Sequence, residues 1–332
     1  MEVAAIAAGA GPVGLEERAR ALLDSLHRVV PFQAGWIGLL DPEHREHVPL
    51  AVQGYEDRFL SYITGSAIVD EIELVGLHRP RLPMRLRDSP VPPAQIRSWA
   101  EFLQPAGFRE ALGLPLFARD GRHLGMLTVH TDTAAHPTDA ASDLIGALAP
   151  LLGLAVDPLR SIAAAARLVH GASAGVVLTR AGQPLPLPGL PTAPLLAAGS
   201  AVLAAAARQL AGGGYAGFLW PAPGPDPAAG HVRVTTLGCA ALPPHHLVAV
   251  VTVNRPRDLH GLTPVQLQIL GLLVEDWTTA RIAAALGLTP RTVAGQLEHI
   301  RARLGAATRA VATLRALREG LYVPASFLSE PE

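Results

Sequence analysis

The stretch TTARIAAALGLTPRTVAGQLEHIRARL, residues 278–304, leaves little choice of fold. Thr278 caps a helix whose apolar side is Ile282, Ala283 and Leu286. Gly287 supplies the left-handed residue that ends it. Thr289 and Pro290 start a second helix. A threonine N-cap accepts an orphan amide, and a proline in the first turn has none to leave unsatisfied. Val293, Leu297, Ile300 and Leu304 recur at i, i+4, i+7 and i+11 and define a buried stripe. The opposite face holds Arg291, Gly295, Glu298 and Ala302, flanked by Thr292 and His299, with no large apolar residue. Two capped helices about a glycine turn, the second with a polar outer face, form a helix-turn-helix pattern.

The flanks extend it. LTPVQLQILGLLVEDW repeats the Thr-Pro start at Thr263 and Pro264, with Leu267, Leu270 and Val274 as the apolar side of a scaffold helix. Thr308 caps a fourth helix bearing Val311, Leu314 and Leu317. LTPVQLQIL, RIAAALGLTPRTVAGQLEHIRARLG and TRAVATL together resemble the LuxR-type DNA-binding domain, over about the last 65 residues. The resemblance implies an all-α four-helix domain whose helix from Thr289 enters the major groove. It implies DNA contacts from Thr289, Arg291, Thr292, Ala294, Gly295, Gln296, Glu298 and His299, with Arg309 as a phosphate clamp. Two departures stand out. The family usually has Arg-Glu after the first Thr-Pro, where this chain has Val265 and Gln266. It usually has Lys after Thr-Val and His two residues on, where this chain has Ala294 and Gln296.

Composition removes several function classes. All 27 basic residues are Arg, against 28 acidic ones, so no global field draws the chain to nucleic acid. From 257 to 320, eight Arg face five Asp or Glu, a modest local excess. A phosphate-binding lysine loop, a pyridoxal Schiff base and a kinase lysine all need Lys, and so, normally, does a phosphoacceptor receiver domain. Control is therefore expected through ligand or partner binding, not aspartyl phosphorylation. Cys239 is the single cysteine, which excludes internal disulfides and a multi-cysteine zinc site and fits a reducing compartment. The N-terminal MEVAAIAAGAGPVGL lacks a basic start, so no signal peptide is expected. The apolar tract 193–207 is too short to span a bilayer. A cytoplasmic protein with no membrane partner follows.

Upstream, 15–30 reads as a helix, 34–41 and 47–54 as strands turned at Asp41-Pro42, and 55–63 as a helix. Residues 79–93 read as a proline- and arginine-rich loop, 96–103 as a short helix, and ALGLPLFARDGRHLGMLTVHTD as a hairpin turned at Asp120-Gly121. An apolar helix at 138–154 closes the order. In order and pattern, 15–157 resembles a GAF domain, an α+β small-molecule sensor. Residues 158–255 are rich in Ala, Gly and Pro. A strand pair turned at Ala181-Gly182, a helix at 197–210 and strands at 216–220, 231–239 and 245–253 resemble a divergent α+β PAS-like domain. Its loops are the Pro-rich 184–194 and 221–227, and a shared signalling helix spans 143–168. The chain is thus expected to be multidomain: GAF-like over 15–157, PAS-like over 158–255 and helix-turn-helix over 258–322.

Each chemical candidate has a plainer reading. His44 and His47 are spaced as H-x-x-H, but a solvated turn fits EHREH better than a metal site. His245 and His246 start a strand, where neighbours point to opposite faces, so no metal is expected there. Cys239 sits among apolar residues with no adjacent base and reads as an inert packed thiol. Trp36, Tyr55, Trp99, Phe102 and Phe108 line a ligand pocket or belong to the core, the commoner fate. His130 faces that pocket or, as favoured, the surface or core. The Arg79–Arg97 loop reads as solvated. No cofactor is expected.

Three functions compete: a transcriptional regulator whose sensors bias a DNA-binding module, an interaction adaptor with a degenerate helix-turn-helix, and an enzyme on a sensor fold such as a methionine sulfoxide reductase. The last needs a reactive cysteine that the first domain lacks, so no enzyme is expected. The first leads, with double-stranded DNA as partner and a homodimer on it.

Overall fold

The computed structural model describes residue 3 and residues 14–28, 30–80, 82–211, 214–222, 230–239, 243–256 and 258–329. The signal-peptide reading of the first residues and most of the 221–227 loop lie outside these. The chain forms two antiparallel α+β sheet domains followed by a four-helix C-terminal region. It divides into two compact units, residues 1–161 with 241–246, and residues 162–240 with 247–332.

In the first unit, helix α1 (Leu15–His27) leads to strands β1 (Ala34–Asp41) and β2 (Glu46–Gln53). Helices α2 (Asp57–Ile63) and α3 (Ser66–Leu74) follow, then the short strand β3 (Met84–Arg85) and a π-helical turn at Trp99–Leu103. Strands β4 (Glu110–Phe117) and β5 (His123–Thr131) and helix α4 (Asp139–Val156) complete it. The sheet runs β2-β1-β5-β4-β3, all antiparallel. Alternation along the strands divides the core in two. Leu22, Leu26, Ile37, Leu39, Leu112, Leu127, Ile145 and Leu152 join α1 and α4 to one face. Trp36, Phe59, Ile63, Ile72, Met84, Trp99 and Met126 fill the other, beneath α2, α3 and the π-helical turn. A Cβ on Gly153 of α4 would lie 2.3 Å from the Phe117 carbonyl oxygen, so only glycine lets the helix pack so closely on β4.

Several expectations change here. Helix α3 and strand β3 interrupt what read as featureless chain and loop. The Arg-rich loop is not simply solvated: Arg85 is bonded to Asp88 and Asp139, and Arg87 to the buried Glu110 and two backbone carbonyls. The single signalling helix is broken at Asp157, with α5 (Pro158–His170) beginning at a proline. The helix expected at 197–210 begins at Ala201, after a 3-10 turn at Pro194–Leu196. Among the described residues the longest apolar helix is α4, with 18 residues, enough by length and composition alone to cross a membrane. Its Ile145, Leu152 and Val156 are fully buried against the sheet domain's core.

The second unit holds strands β6 (Ala174–Thr179) and β7 (Pro184–Pro186), helix α6 (Ala201–Leu210) and strands β8 (Tyr215–Pro221), β9 (His231–Gly238) and β10 (Leu247–Asn254). The sheet order is β7-β6-β10-β9-β8, again antiparallel. Strand β10 begins at Leu247, so His245 and His246 precede it rather than start it. Helices α7 (Pro264–Val274), α8 (Thr279–Ala285), α9 (Pro290–Arg303) and α10 (Arg309–Glu319) follow. Their four threonine caps all form: Thr263, Thr278, Thr289 and Thr308 accept from the amides of Gln266, Arg281, Thr292 and Val311. Gly287 has φ +64°, the left-handed stop between α8 and α9.

This sheet and these helices share one core. Helix α7 is buried on nearly every side, not on one apolar stripe. The segment after α10 joins the two. Leu219 on edge strand β8 donates to the Tyr322 carbonyl at 2.8 Å, and Val323 donates to the Leu267 carbonyl at 3.1 Å. The Tyr322 hydroxyl donates to Gln209 of α6, and Phe327 stands edge-on to Trp220.

Candidate nucleic-acid interface and ligand cavity

Helix α9 projects its second face as its spacing predicts. Val293 and Ile300 are fully buried, Leu304 is buried and Leu297 half-buried. Arg291, Thr292, Ala294, Gly295, Glu298, His299 and Ala302 are exposed. No atom comes within 4 Å of a Cβ built on Gly295, so this side of the helix is open for close approach. At its start, Thr289 caps the helix and shares a hydroxyl contact with Thr292 at 2.8 Å. The first-turn amides and Arg291 form an arrangement suited to a phosphate.

Three expected contact residues have other commitments. Gln296 is only half-exposed, and its Oε1 accepts from Gln266 Nε2 at 2.8 Å. Its amide thus turns toward the scaffold helix, in a part-buried network that runs from Thr263 through Gln266 to Arg303. Glu298 accepts from Arg301 at 2.9 Å, one turn along. Arg309 donates to the Trp277 carbonyl at 2.7 Å, which ties α10 to the loop before α8. The fourth helix buries Ala312 and Ala316. Val311, Leu314 and Leu317, expected as its apolar side, stand exposed at 36 %, 54 % and 46 %.

In the first unit, a cavity of about 100 Å³ opens between the sheet and α2, α3 and the π-helical turn. Trp36, Trp99 and His130 line it and are buried. Tyr55, Phe102 and Phe108 instead border a separate hollow of about 280 Å³, with Phe59 common to both. The two groups meet where the Tyr55 hydroxyl and His130 Nδ1 lie 2.6 Å apart. His130 is buried rather than surface-facing, and desolvation pushes its pKa down to about 3, so the ring is neutral. The same burial pushes the Tyr55 phenol up. Sequence reasoning missed Glu71, Thr128, Met84 and Met126, which also line this cavity. Glu71 lies on α3, whose signature was available in SAIVDEIEL: Ile68, Val69 and Ile72 recur at helical spacing.

The remaining candidates resolve simply. His44 pairs with Asp41 at 2.9 Å in the turn. His47 is not in a solvated turn: it is 2 % exposed, edge-on to Trp36, and burial lowers its pKa to about 3. Burial pushes the Cys239 thiol up to about 11, which keeps it unreactive. Among the described residues no group of His, Cys, Asp or Glu is arranged to hold a metal.

Two stretches match known families. Residues 13–157 match the family described as GAF domain, and residues 260–316 match bacterial regulatory proteins, luxR family. No curated protein matches the chain. The solved structures it is similar to include the GAF domain/HD domain protein from Geobacter sulfurreducens, at 18% identity, 47% of this chain, 96% of that one and TM-score 0.35. A bacteriophytochrome from the photosynthetic bacterium R. palustris is similar at 12% identity over 76% of this chain and 62% of that one, TM-score 0.36. The Vibrio cholerae VqmA dimer, described among LuxR-type receptors, is similar at 13% identity over 50% of this chain and 92% of that one, TM-score 0.28.

Proposed function

We propose that this chain, which carries a GAF domain and a LuxR-family helix-turn-helix, is a DNA-binding transcriptional regulator whose N-terminal domains respond to a small molecule or partner. The division is a sensor at 15–157, a PAS-like domain at 158–255 and the DNA-binding domain at 258–322. The observation that carries the reading is the exposed face of α9, capped by Thr289 and free of large apolar side chains. Phosphate contacts from the first-turn amides, Thr292 and Arg291 hold register. Ala294 meets a thymine methyl, Glu298 accepts from cytosine once Arg301 releases it, and His299 completes the edge. The apolar stripe Val311, Leu314 and Leu317 supports a homodimer on paired half-sites, since such a stripe is costly to leave in water. The protein acts in the cytoplasm and performs no catalytic step.

The test is a mobility-shift assay of the full chain on genomic fragments. Retention of a few fragments over bulk competitor supports the reading. Uniform, salt-sensitive retention favours the second reading, an adaptor with a degenerate helix-turn-helix, to which the internal commitment of Gln296 lends support.

A further inference from the structure

Glu71 puts a buried carboxyl group in the wall of the first unit's cavity. Glu71 is 9 % exposed and lines the cavity. Its Oε1 accepts from the Tyr62 hydroxyl and the Ser98 amide, both at 2.8 Å, and its Oε2 only from that same amide at 3.2 Å. No ion-pair partner reaches it among the described residues. Arg85, itself in the cavity wall, is bonded to Asp88 and Asp139, and Arg97, whose charge feels Glu71, lies over the Tyr62 ring and is bonded to Glu101. A buried carboxylate with no cation bonded to it is costly, and a bound cation removes that cost. Oε2 keeps lone pairs for an N–H donor.

The other walls, the paired Arg85 apart, agree with a cation on an apolar body. Trp36, Trp99 and Phe59 line it with aromatic rings, the kind of group that attracts a desolvated cation, and Met84 and Met126 fit hydrocarbon. Thr128, on β5, has a buried hydroxyl with no partner, a second acceptor for an ammonium proton. His130 stays neutral and so does not repel a cation. The size is small. A cavity of roughly 150 Å³ holds a benzene, and this one is about 100 Å³.

We propose that the GAF-domain cavity binds a small organic ammonium on a short branched hydrocarbon body, with Glu71 as its counter-ion. This rests on the sensor reading above and names the class of molecule sensed. The test compares isobutylamine, isobutanol and isobutyrate, which share an isopropyl body and differ in charge, by calorimetry on the full chain at neutral pH. The amine is expected to bind at least about tenfold more tightly than the alcohol, with the carboxylate weakest. Glu71→Gln keeps the acceptor for Tyr62 and Ser98; it is expected to bring the amine down to the alcohol's affinity and leave the alcohol unchanged. Ala111→Leu, which adds bulk at the cavity wall, is expected to weaken all of them, and thermal melts of each variant report whether it folds. If the alcohol or carboxylate binds as tightly as the amine, or the amine's advantage survives Glu71→Gln, the ligand class is wrong and the sensor reading stands. If none of the probes binds the wild-type chain, the proposal is overturned; if a metabolite extract also leaves its melting unchanged, the sensor reading falls with it.

Discussion

Gln266 donates through Nε2 to Oε1 of Gln296 at 2.8 Å, so the two positions where this chain departs from the LuxR-type pattern with glutamine are bonded to each other. One is 3 % exposed on the scaffold helix, and the other lies on the recognition helix. They act as a brace between helices. Replacing Gln296 by Ala leaves a buried amide without its partner. The expected cost is about 1–3 kcal/mol of stability in the second unit, with base preference on an operator library unchanged. Altered preference at an adenine, with stability intact, returns Gln296 to the readout.

Glu298 is the residue that separates specific reading from simple solvation. Its removal frees Arg301, which also donates to the carbonyls of Ala306 and Ala307. Glu298→Ala is expected to relax preference at one base pair by roughly 1–3 kcal/mol. A uniform gain across the library, from lifted repulsion toward phosphate, contradicts this.

The stripe on α10 sets assembly. Leu314→Glu places a charge at the centre of Val311, Leu314 and Leu317, in a position exposed enough to leave the fold intact. Sedimentation of the operator complex is expected to shift from two protomers to one. An unchanged complex moves the dimer contact elsewhere.

The segment after α10 determines whether the second unit unfolds as one body. A Cβ on Gly271 of α7 would lie 1.7 Å from the Val323 carbonyl oxygen. Gly271→Ala therefore pushes the segment away, while Tyr322→Ala removes a side chain that is 1 % exposed, at about 3–5 kcal/mol. Both are expected to lower hydrogen-exchange protection in β8 as well as in α7. Loss confined to the helices shows that sheet and helices unfold separately.

Acid titrates the first unit through its buried histidines. Desolvation holds His47 and His130 at about 3 in the folded chain, below the ordinary 6.5. The unfolded chain thus binds protons that the folded one refuses. Stability is complete above 6.5 and falls as pH drops toward 3, by about 1.4 kcal/mol per pH unit for each ring. His47→Phe retains a ring beside Trp36 without the proton, and is expected to flatten the slope of melting temperature against pH in this window. An unchanged slope shows that His47 does not carry it.

The helix-turn-helix was legible because its determinants are local. Four Thr caps, the left-handed Gly287 and the buried stripe of α9 each act within a few residues. The hairpin at Asp120-Gly121 was legible for the same reason, with Gly121 at φ +86°. Helix α3 was missed although its spacing was present, and with it Glu71. The aromatic residues grouped as one pocket fell into two, since only Trp36 of them lies on a strand and no local pattern fixes where the connections bearing the others pack.

The sequence by itself determined where the four C-terminal helices start and stop, and which face of α9 points outward, because caps and periodicity are properties of the chain over one or two turns. Only the tertiary structure decided that Gln296 turns toward Gln266, that Leu314 faces water, and that Tyr322 seals β8 against α7. It alone brought Glu71, Trp99 and Thr128 from a helix, a π-helical turn and a strand to one cavity. Such pairings depend on packing between segments distant in sequence, where burial and hydrogen-bond satisfaction select the partner and no local propensity does.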